Sequence, residues 1–286
     1  MSLLKGLNAW SLPGGLEGTL KPEDAIAKAK QHGFEALELC IAPDGELGLD
    51  TTEGRCQEIV AAANGAGIAL RSVASGTYWG RSIGDPDTAT RQGALEDLRK
   101  LVRITHWLGA KTLLTIPGAV DVFFAPDRPV QAYDDVRKYA LEGLRAVAPE
   151  AESAGVRMGI ENVWNRFLLS PVEMRDFIDE VGSSAVGSYL DVANVLPFGY
   201  PEQWLRILGS RVVGIHFKDF RRAVGTAEGF VDLLEGDVDW PALMTAIGEV
   251  GYDGPVVAEM IPLYKNYPEV RVANTSRAMD AILGRA

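Results

Sequence analysis

Three carboxylates and one imidazole follow four successive apolar runs in the second half of the chain. They are Glu161, Asp191, His216 and Glu259. In a parallel barrel, polar residues at the carboxyl ends of neighbouring strands converge on one mouth. Carboxylate oxygens and an imidazole nitrogen form a ligand set that suits a divalent ion such as Mn, Co, Mg or Zn. If these runs are strands of one barrel, the sequence predicts a site for one divalent metal ion.

Short β-type runs alternate with longer amphipathic patterns from one end of the chain to the other. The predicted strands are 6–10, 36–41, 69–74, 112–116, 157–161, 187–191, 212–216 and 256–259. The predicted helices are 22–32, 53–66, 87–108, 133–153, 171–181, 201–208, 240–250 and 268–283. Several helices begin with Pro and end before Gly, which is typical of helix termini. Eight strand–helix units predict an α/β fold, a (β/α)8 TIM barrel.

A doubly wound open sheet is the competing topology for this alternation. Such a sheet often carries a glycine-rich dinucleotide fingerprint after its first strand. Here the segment 10–15 reads WSLPGG, which lacks that spacing. The chain shows no linker or low-complexity tract, so we expect a single barrel domain over residues 1–286.

Composition limits which kinds of partner the protein can bind and where in the cell we expect it. A formal net charge of -11 argues against nucleic acid, which is bound through clustered Lys and Arg. No apolar run approaches the length needed to span a membrane, and the start of the chain lacks a signal-peptide pattern. Cys40 and Cys56 form no motif and read as small hydrophobic residues. We therefore expect a cytoplasmic protein that binds neither nucleic acid nor membrane.

Four short motifs carry a resemblance to a known family. They are GIEN at 159–162, LDVAN at 190–194, GIHFKD at 214–219 and VAEM at 257–260. With these motifs the chain resembles the xylose-isomerase-like TIM-barrel superfamily of sugar isomerases and epimerases. Within it, the resemblance is to ketose and ketose-phosphate 3-epimerases, including L-xylulose-5-phosphate 3-epimerases and hexulose-6-phosphate isomerases. Each motif alone is weak, whereas four in this order, one per successive strand, are specific.

Epimerisation beside a ketone requires two bases, because a proton leaves one face of the carbon and returns to the other. Glu161 and Glu259 are the candidates for this pair, and the resemblance implies that both also bind the metal. Asp191 and His216 complete the ligand set. One divalent ion (Mn, Co, Mg or Zn) would stabilise the enediolate as a Lewis acid. The second imidazole nitrogen of His216 needs an acceptor that the sequence does not identify.

Substrate contacts are less sharply indicated. Asn194 falls where some ketose 3-epimerases carry a histidine that touches the sugar, and this departure weakens the parallel with free-ketose enzymes. Arg222, six residues after His216, matches a substrate-binding arginine of the family. Lys218, Arg221 and Arg222 form a basic cluster, either for a phosphate or for salt bridges.

Aromatic residues and one long connection complete the predicted site. Trp10, at the end of the first predicted strand, and Trp164, just after Glu161, are expected to line the sugar pocket. The stretch 225–239 is long for a barrel connection and contains three glycines. It is either a mobile lid over the substrate or an ordered surface insertion.

The sequence therefore predicts an enzyme that depends on one divalent metal ion, with manganese among the candidates, and that epimerises a ketose or ketose phosphate at C3. An aldose–ketose isomerase is the first alternative, because similar ligands serve proton transfer between adjacent carbons. An inosose-type dehydratase and a non-catalytic carbohydrate-binding barrel are the others. The expected partner is a small sugar or sugar phosphate, and association into a homo-oligomer stays open.

Overall fold

Eight parallel strands close into a barrel in the computed structural model, which describes residues 3–285. The strands in chain order are β1 (Leu4–Asn8), β2 (Ala36–Ile41), β3 (Ala69–Ser75), β4 (Thr112–Thr115), β5 (Arg157–Glu161), β6 (Val186–Asp191), β7 (Val212–Phe217), β8 (Asp219–Phe220), β9 (Phe230–Val231) and β10 (Pro255–Ala258). Around the barrel the order is β1-β10-β7-β6-β5-β4-β3-β2, while β8 and β9 pair separately. The predicted TIM barrel is confirmed.

Helices connect the barrel strands and cover them from outside. They are α1 (Pro22–Gln31), α2 (Glu53–Ala66), α3 (Thr88–Trp107), α4 (Tyr133–Ala154), α5 (Pro171–Val181), α6 (Val192–Val195), α7 (Pro201–Leu208), α8 (Trp240–Glu249) and α9 (Pro268–Ile282). Helix α5 illustrates the local signals. The Ser170 hydroxyl accepts the N–H of Glu173, Pro171 occupies the first turn, and Gly182 ends the helix at φ 76°. In the described range, no helix has the length and apolar character required to cross a membrane.

The first strand differs from its prediction. It begins earlier and ends at Asn8, so Trp10 does not end the strand but lies in a 3-10 turn, Ala9–Ser11. The Asn8 side chain accepts the N–H of Trp10 at 2.7 Å, which turns the chain out of the strand direction. The short helix α6 was also not predicted, because four residues are too few for a periodic pattern.

The barrel interior depends on glycines that leave room for one large ring. Tyr189 in β6 is fully buried, and its ring lies where a Cβ at position 214 would come within 2.5 Å. Gly214 in β7 therefore accommodates the tyrosine ring, since any larger residue would collide with it. This packing fixes the space beneath the carboxyl ends of β6 and β7.

The connection that includes 225–239 is built around a buried carboxylate. Asp219 accepts the N–H groups of Leu234 at 3.0 Å and Val238 at 3.2 Å, and the indole N–H of Trp240 at 3.3 Å. The strands β8 and β9 pair antiparallel within the same connection. A Cβ at Gly236 would lie 2.1 Å from the Asp219 Oδ1 atom, so this turn requires glycine. Hydrogen bonds to one buried side chain thus hold several parts of this connection together.

Candidate metal centre

The barrel brings the four predicted ligands together at its carboxyl-terminal mouth. Glu161 ends β5, Asp191 ends β6, His216 lies in β7 and Glu259 follows β10. These strands are consecutive neighbours in the barrel. One ligand atom from each residue lies within 4.8 Å of the others, and all four side chains are buried. We call these residues the acid–imidazole cluster.

Asp191 divides its two carboxylate oxygens between a helix cap and the cluster. Its Oδ1 accepts the N–H groups of Ala193 and Asn194, both at 2.9 Å, and so caps α6. The Asn162 side chain holds the backbone of Asp191 through two hydrogen bonds of 2.8 and 2.9 Å. The other oxygen, Oδ2, is buried without a hydrogen-bond partner among the described residues. It is therefore available to a cation.

His216 presents one nitrogen to the cluster and the other to a carboxylate deeper in the barrel. Its Nδ1 lies 3.8 Å from Glu161 Oε1 and 3.9 Å from Glu259 Oε2. Within residues 3–285 this Nδ1 has no hydrogen-bond partner. Its Nε2 lies 2.6 Å from Oε1 of Glu38 in β2, which is fully buried. Glu38 is the acceptor that the sequence left unidentified.

The site has more carboxylates than cationic side chains. The three carboxylates of the cluster and Glu38 surround the imidazole of His216 and the ammonium group of Lys218, which is 7% exposed. This ammonium contacts Glu259, lies 3.5 Å from Asp191 Oδ2 and sits 5.0 Å from the Phe230 ring centroid. Buried carboxylates in excess of their cations are costly unless a further cation joins them. Within residues 3–285, one ligand atom of Asp191 and one of His216 make no hydrogen bond, and together with the excess of carboxylates they fit one divalent metal ion.

Burial and mutual repulsion shift the pKa values of these groups. Burial, reinforced by the charge of Glu259, raises the pKa of Glu161 to about 7. Burial likewise raises the pKa of Asp191, although Lys218 opposes the shift. Burial alone would lower the pKa of His216, but Glu38 and Glu259 outweigh it and raise that pKa well above its ordinary value. Such groups hold protons that a metal ion must displace.

Comparison with known proteins identifies the family. A family model described as xylose isomerase-like TIM barrel matches residues 26–279. The chain belongs to this family. A putative L-ribulose-5-phosphate 3-epimerase of Escherichia coli (strain K12) is 24% identical over 271 residues, 92% of each chain.

Solved structures agree on the fold of this xylose isomerase-like barrel. A D-psicose 3-epimerase from Clostridium cellulolyticum H10, solved with D-tagatose, superposes with a TM-score of 0.81 at 18% identity and covers 99% of both chains. A 3-keto-D-glucoside 4-epimerase from E. coli has a TM-score of 0.77 at 16% identity, covering 99% of this chain and all of its own. These relatives and neighbours are named as sugar or sugar-phosphate epimerases.

Two predicted substrate contacts of this xylose isomerase-like barrel adjoin the cluster. Asn194 in α6 is buried, its N–H donates to Asp191, and its carbonyl accepts the indole N–H of Trp164 at 3.0 Å. Lys218 reaches Glu259 and Asp191 as described above. Trp10 lies half-buried in the turn after β1.

The basic cluster predicted from the sequence is divided among separate partners. Arg221 pairs with Glu235 at 3.4 Å. Arg222 is exposed; its guanidinium stacks 4.6 Å from the Tyr200 ring centroid and donates to the Gly199 carbonyl at 3.3 Å. Lys218, Arg221 and Arg222 therefore occupy three different environments. Lys218 and Arg221 form salt bridges, whereas Arg222 stacks on an aromatic ring.

Aromatic rings from several loops extend from Trp164 across the mouth. The Trp164 ring lies 5.0 Å from that of Phe230 and 6.1 Å from that of Phe123. Phe123 in turn contacts Phe124, whose ring lies 5.1 Å from that of Trp79. The sequence indicated Trp164 but not Phe123 or Phe124, although two adjacent phenylalanines in a connection between barrel elements are a signal of an apolar loop surface.

Proposed function

We propose that this chain is a divalent-metal-dependent epimerase that acts at C3 of a ketose or ketose phosphate as a single-domain barrel. The observation that carries the proposal is the placement of Glu161 and Glu259. Their carboxylates flank Nδ1 of His216 at 3.8 and 3.9 Å and come from strands separated by β6 and β7. Two acids that approach a common point from different sides suit removal of a proton from one face and its return to the other.

The four members of the acid–imidazole cluster would hold the metal, with Mn, Co, Mg and Zn all compatible with the ligand set. A bound divalent ion would supply the positive charge that stabilises the enediolate. Glu161 and Glu259 would transfer the protons, because each carboxylate has one oxygen for the metal and a second oxygen that can take the proton.

The remaining predicted site residues take substrate roles in this proposal. Lys218 would donate to a substrate oxygen beside Glu259, and Asn194 would donate to a hydroxyl. Trp164 and Trp10 would cover apolar faces of the sugar. Arg222 would have to leave Tyr200 to reach a substrate. The names of the curated relatives support a pentulose 5-phosphate as one candidate substrate, and a cytoplasmic location is part of the same proposal.

Proton exchange in deuterated buffer tests the reaction. The metal-loaded protein is incubated with free and phosphorylated ketoses, and NMR reads deuterium at each carbon. We expect label at C3 together with the C3 epimer. Label at C1 or C2 with an aldose product would instead identify an isomerase.

The neutral variants Glu161→Gln and Glu259→Gln serve as controls for this experiment. Each keeps the size of the side chain but removes its proton-accepting charge, so neither should form the epimer. Parallel loading with Mn, Co, Mg and Zn, followed by the same assay, ranks the ions. Absence of exchange with every sugar and every ion would contradict the proposal and favour a dehydratase or a binding protein.

A further inference from the structure

A buried hydrogen-bond network lies directly below the acid–imidazole cluster. Glu38 Oε1 lies 2.6 Å from His216 Nε2 and accepts the Asn8 side-chain amide at 2.7 Å. Glu38 Oε2 accepts the Tyr189 hydroxyl at 2.6 Å. All four of these side chains are 0% exposed. They come from β1, β2, β6 and β7, so the network joins opposite sides of the barrel.

From this geometry we infer that Glu38 is a positioning residue, which fixes the His216 imidazole with Nε2 protonated and Nδ1 directed at the cluster. Glu38 acts through His216 rather than on the substrate. The inference rests on the proposed function only in taking Nδ1 as a metal ligand.

The orientation of Asn8 determines which groups donate to Glu38. The Asn8 Oδ1 atom accepts the N–H of Trp10 at 2.7 Å, so its amide nitrogen faces Glu38 as a donor. Oε1 of Glu38 is therefore an acceptor for Asn8 and for His216 alike. A carboxylate that only accepts requires a proton on Nε2 of the imidazole. The lone pair of a neutral His216 then lies on Nδ1, the atom without a hydrogen-bond partner in the described chain.

Tyr189 restrains the same imidazole a second way. Its hydroxyl holds Glu38, while its ring packs against the His216 ring with centroids 4.5 Å apart and planes at 60°. The absence of a side chain at Gly214 makes room for this ring. The tyrosine thus orients both the imidazole and the carboxylate that holds it. Partners of this kind typically change metal affinity about 10- to 100-fold when they are removed.

The first experiment reads the proton positions directly. The full chain is labelled with ¹⁵N at histidine and loaded with Zn²⁺ or with ¹¹³Cd²⁺. Only three histidines occur in the sequence, and the His32→Gln and His106→Gln variants assign the other two. We expect a slowly exchanging proton on Nε2 of His216 and coupling of ¹¹³Cd to Nδ1. A proton on Nδ1, or metal coupling at Nε2, would overturn the inference.

The second experiment removes the acceptor and then restores it. Glu38→Leu should weaken Zn²⁺ binding by about 10- to 100-fold in a chelator competition. Glu38→Gln keeps an acceptor oxygen at the same position, so it should keep the Nε2 proton and recover part of the affinity. Unchanged affinity in Glu38→Leu would overturn the inference, as would equal losses in both variants. If Glu38→Leu does not fold, the ¹¹³Cd spectrum of Glu38→Gln decides, and metal coupling at Nε2 there overturns the inference.

A second histidine–glutamate pair supplies the matched control. His32 Nε2 lies 3.2 Å from Glu269 Oε2, whose side chain is 42% exposed. Glu269→Gln should move the signals of His32 and leave those of His216 and the Zn²⁺ affinity unchanged. If Zn²⁺ binds as expected but no sugar exchanges its proton, the epimerase proposal fails and the role of Glu38 stands. If sugars exchange their protons while the Glu38 variants bind Zn²⁺ normally, the proposed role of Glu38 fails and the epimerase proposal stands.

Discussion

Buried charged side chains have different partners at the two ends of the barrel strands. Near the start of β1, the Lys5 ammonium is buried but lies 2.6 Å from Asp280 and 3.1 Å from the Ser276 hydroxyl. At the carboxyl-terminal mouth, several carboxylates share one lysine, and ligand atoms of Asp191 and His216 are buried without hydrogen-bond partners within residues 3–285. The buried charge of Lys5 is paired, whereas the carboxylates at the mouth outnumber the cationic side chains that contact them.

Buried charge at Lys5 supports the fold, whereas buried charge at the mouth is suited to metal binding and catalysis. A paired buried lysine compensates its own desolvation, and breaking the pair affects stability. Buried carboxylates that outnumber their cations cost stability and persist where a further cation or a substrate compensates them, which is typical of functional sites. Changes at the mouth should therefore affect activity, and changes at Lys5 should affect folding.

Neutralising one acid at the mouth should give the largest effect. Glu161→Gln or Glu259→Gln should lower turnover by about 10²- to 10⁴-fold at saturating metal, because a proton-transfer base is lost. Removal of the Glu161 charge from the crowded cluster relieves repulsion, so the metal-free Glu161→Gln variant should be at least as stable as the original chain. Steady-state kinetics and denaturant unfolding measure both quantities. Turnover within a few-fold of the original in both variants would refute the two-base arrangement.

Replacing Lys5 should lower stability and leave turnover unchanged. Lys5→Met should lower the free energy of unfolding by about 1–3 kcal/mol, because charge-assisted hydrogen bonds to Asp280 and Ser276 disappear. The Asp280 side chain is 33% exposed, so water limits the loss. Urea unfolding gives the change in stability, and turnover per folded molecule should stay constant. A fall in turnover without a fall in stability would contradict the division between the two ends.

The excess charge at the mouth should also make metal binding depend on pH. Because burial raises the pKa of Glu161 to about 7, this acid is protonated below that pH, and a metal ion must displace the proton. Affinity should therefore rise with pH, by about tenfold between pH 6 and pH 8 for this one group. Calorimetry in buffers of different ionisation enthalpy would count the protons released. A flat affinity over this range would show that the cluster is already deprotonated.

The exposed pair around Glu269 should give the smallest effect. Glu269 contacts Lys28 and His32, but its side chain is 42% exposed. Glu269→Gln should change stability by no more than about 0.5 kcal/mol. The Lys28 contact lowers the pKa of Glu269, so the contribution is present at neutral pH and is lost as the pH falls through that lowered value. Thermal unfolding at neutral and acidic pH, with and without added salt, checks both statements.

Periodicity and terminal residues were sufficient to predict most of the barrel. The strand 157–161 and the helix 171–181 agree with β5 and α5, because a buried strand and an amphipathic helix carry different apolar periods. The end of the first strand was wrong because a single side-chain hydrogen bond from Asn8 turned the chain at Ala9. The pair β8 and β9 was missed, since two-residue strands have no period.

Glu38 shows why part of the site was beyond the sequence. It lies within the apolar run 36–41 rather than at a strand end, so its position in the sequence did not indicate that it contacts the metal site. A lone acid inside a buried strand is itself a signal that a partner exists, but the partner Tyr189 is 151 residues away. Arg222 is the converse case, where sequence spacing suggested the site and side-chain packing placed the guanidinium over Tyr200.

The sequence by itself determined the alternation of strands and helices and the four ligand types. Local periodicity and residue chemistry depend only on residues that are close together in the chain. Tertiary structure alone decided which charges meet. Barrel closure places β2 across the interior from β6 and β7, and so gives His216 its buried partner Glu38. Distances between residues so far apart in the chain follow from strand order and register, and these arise only when all eight strands pair.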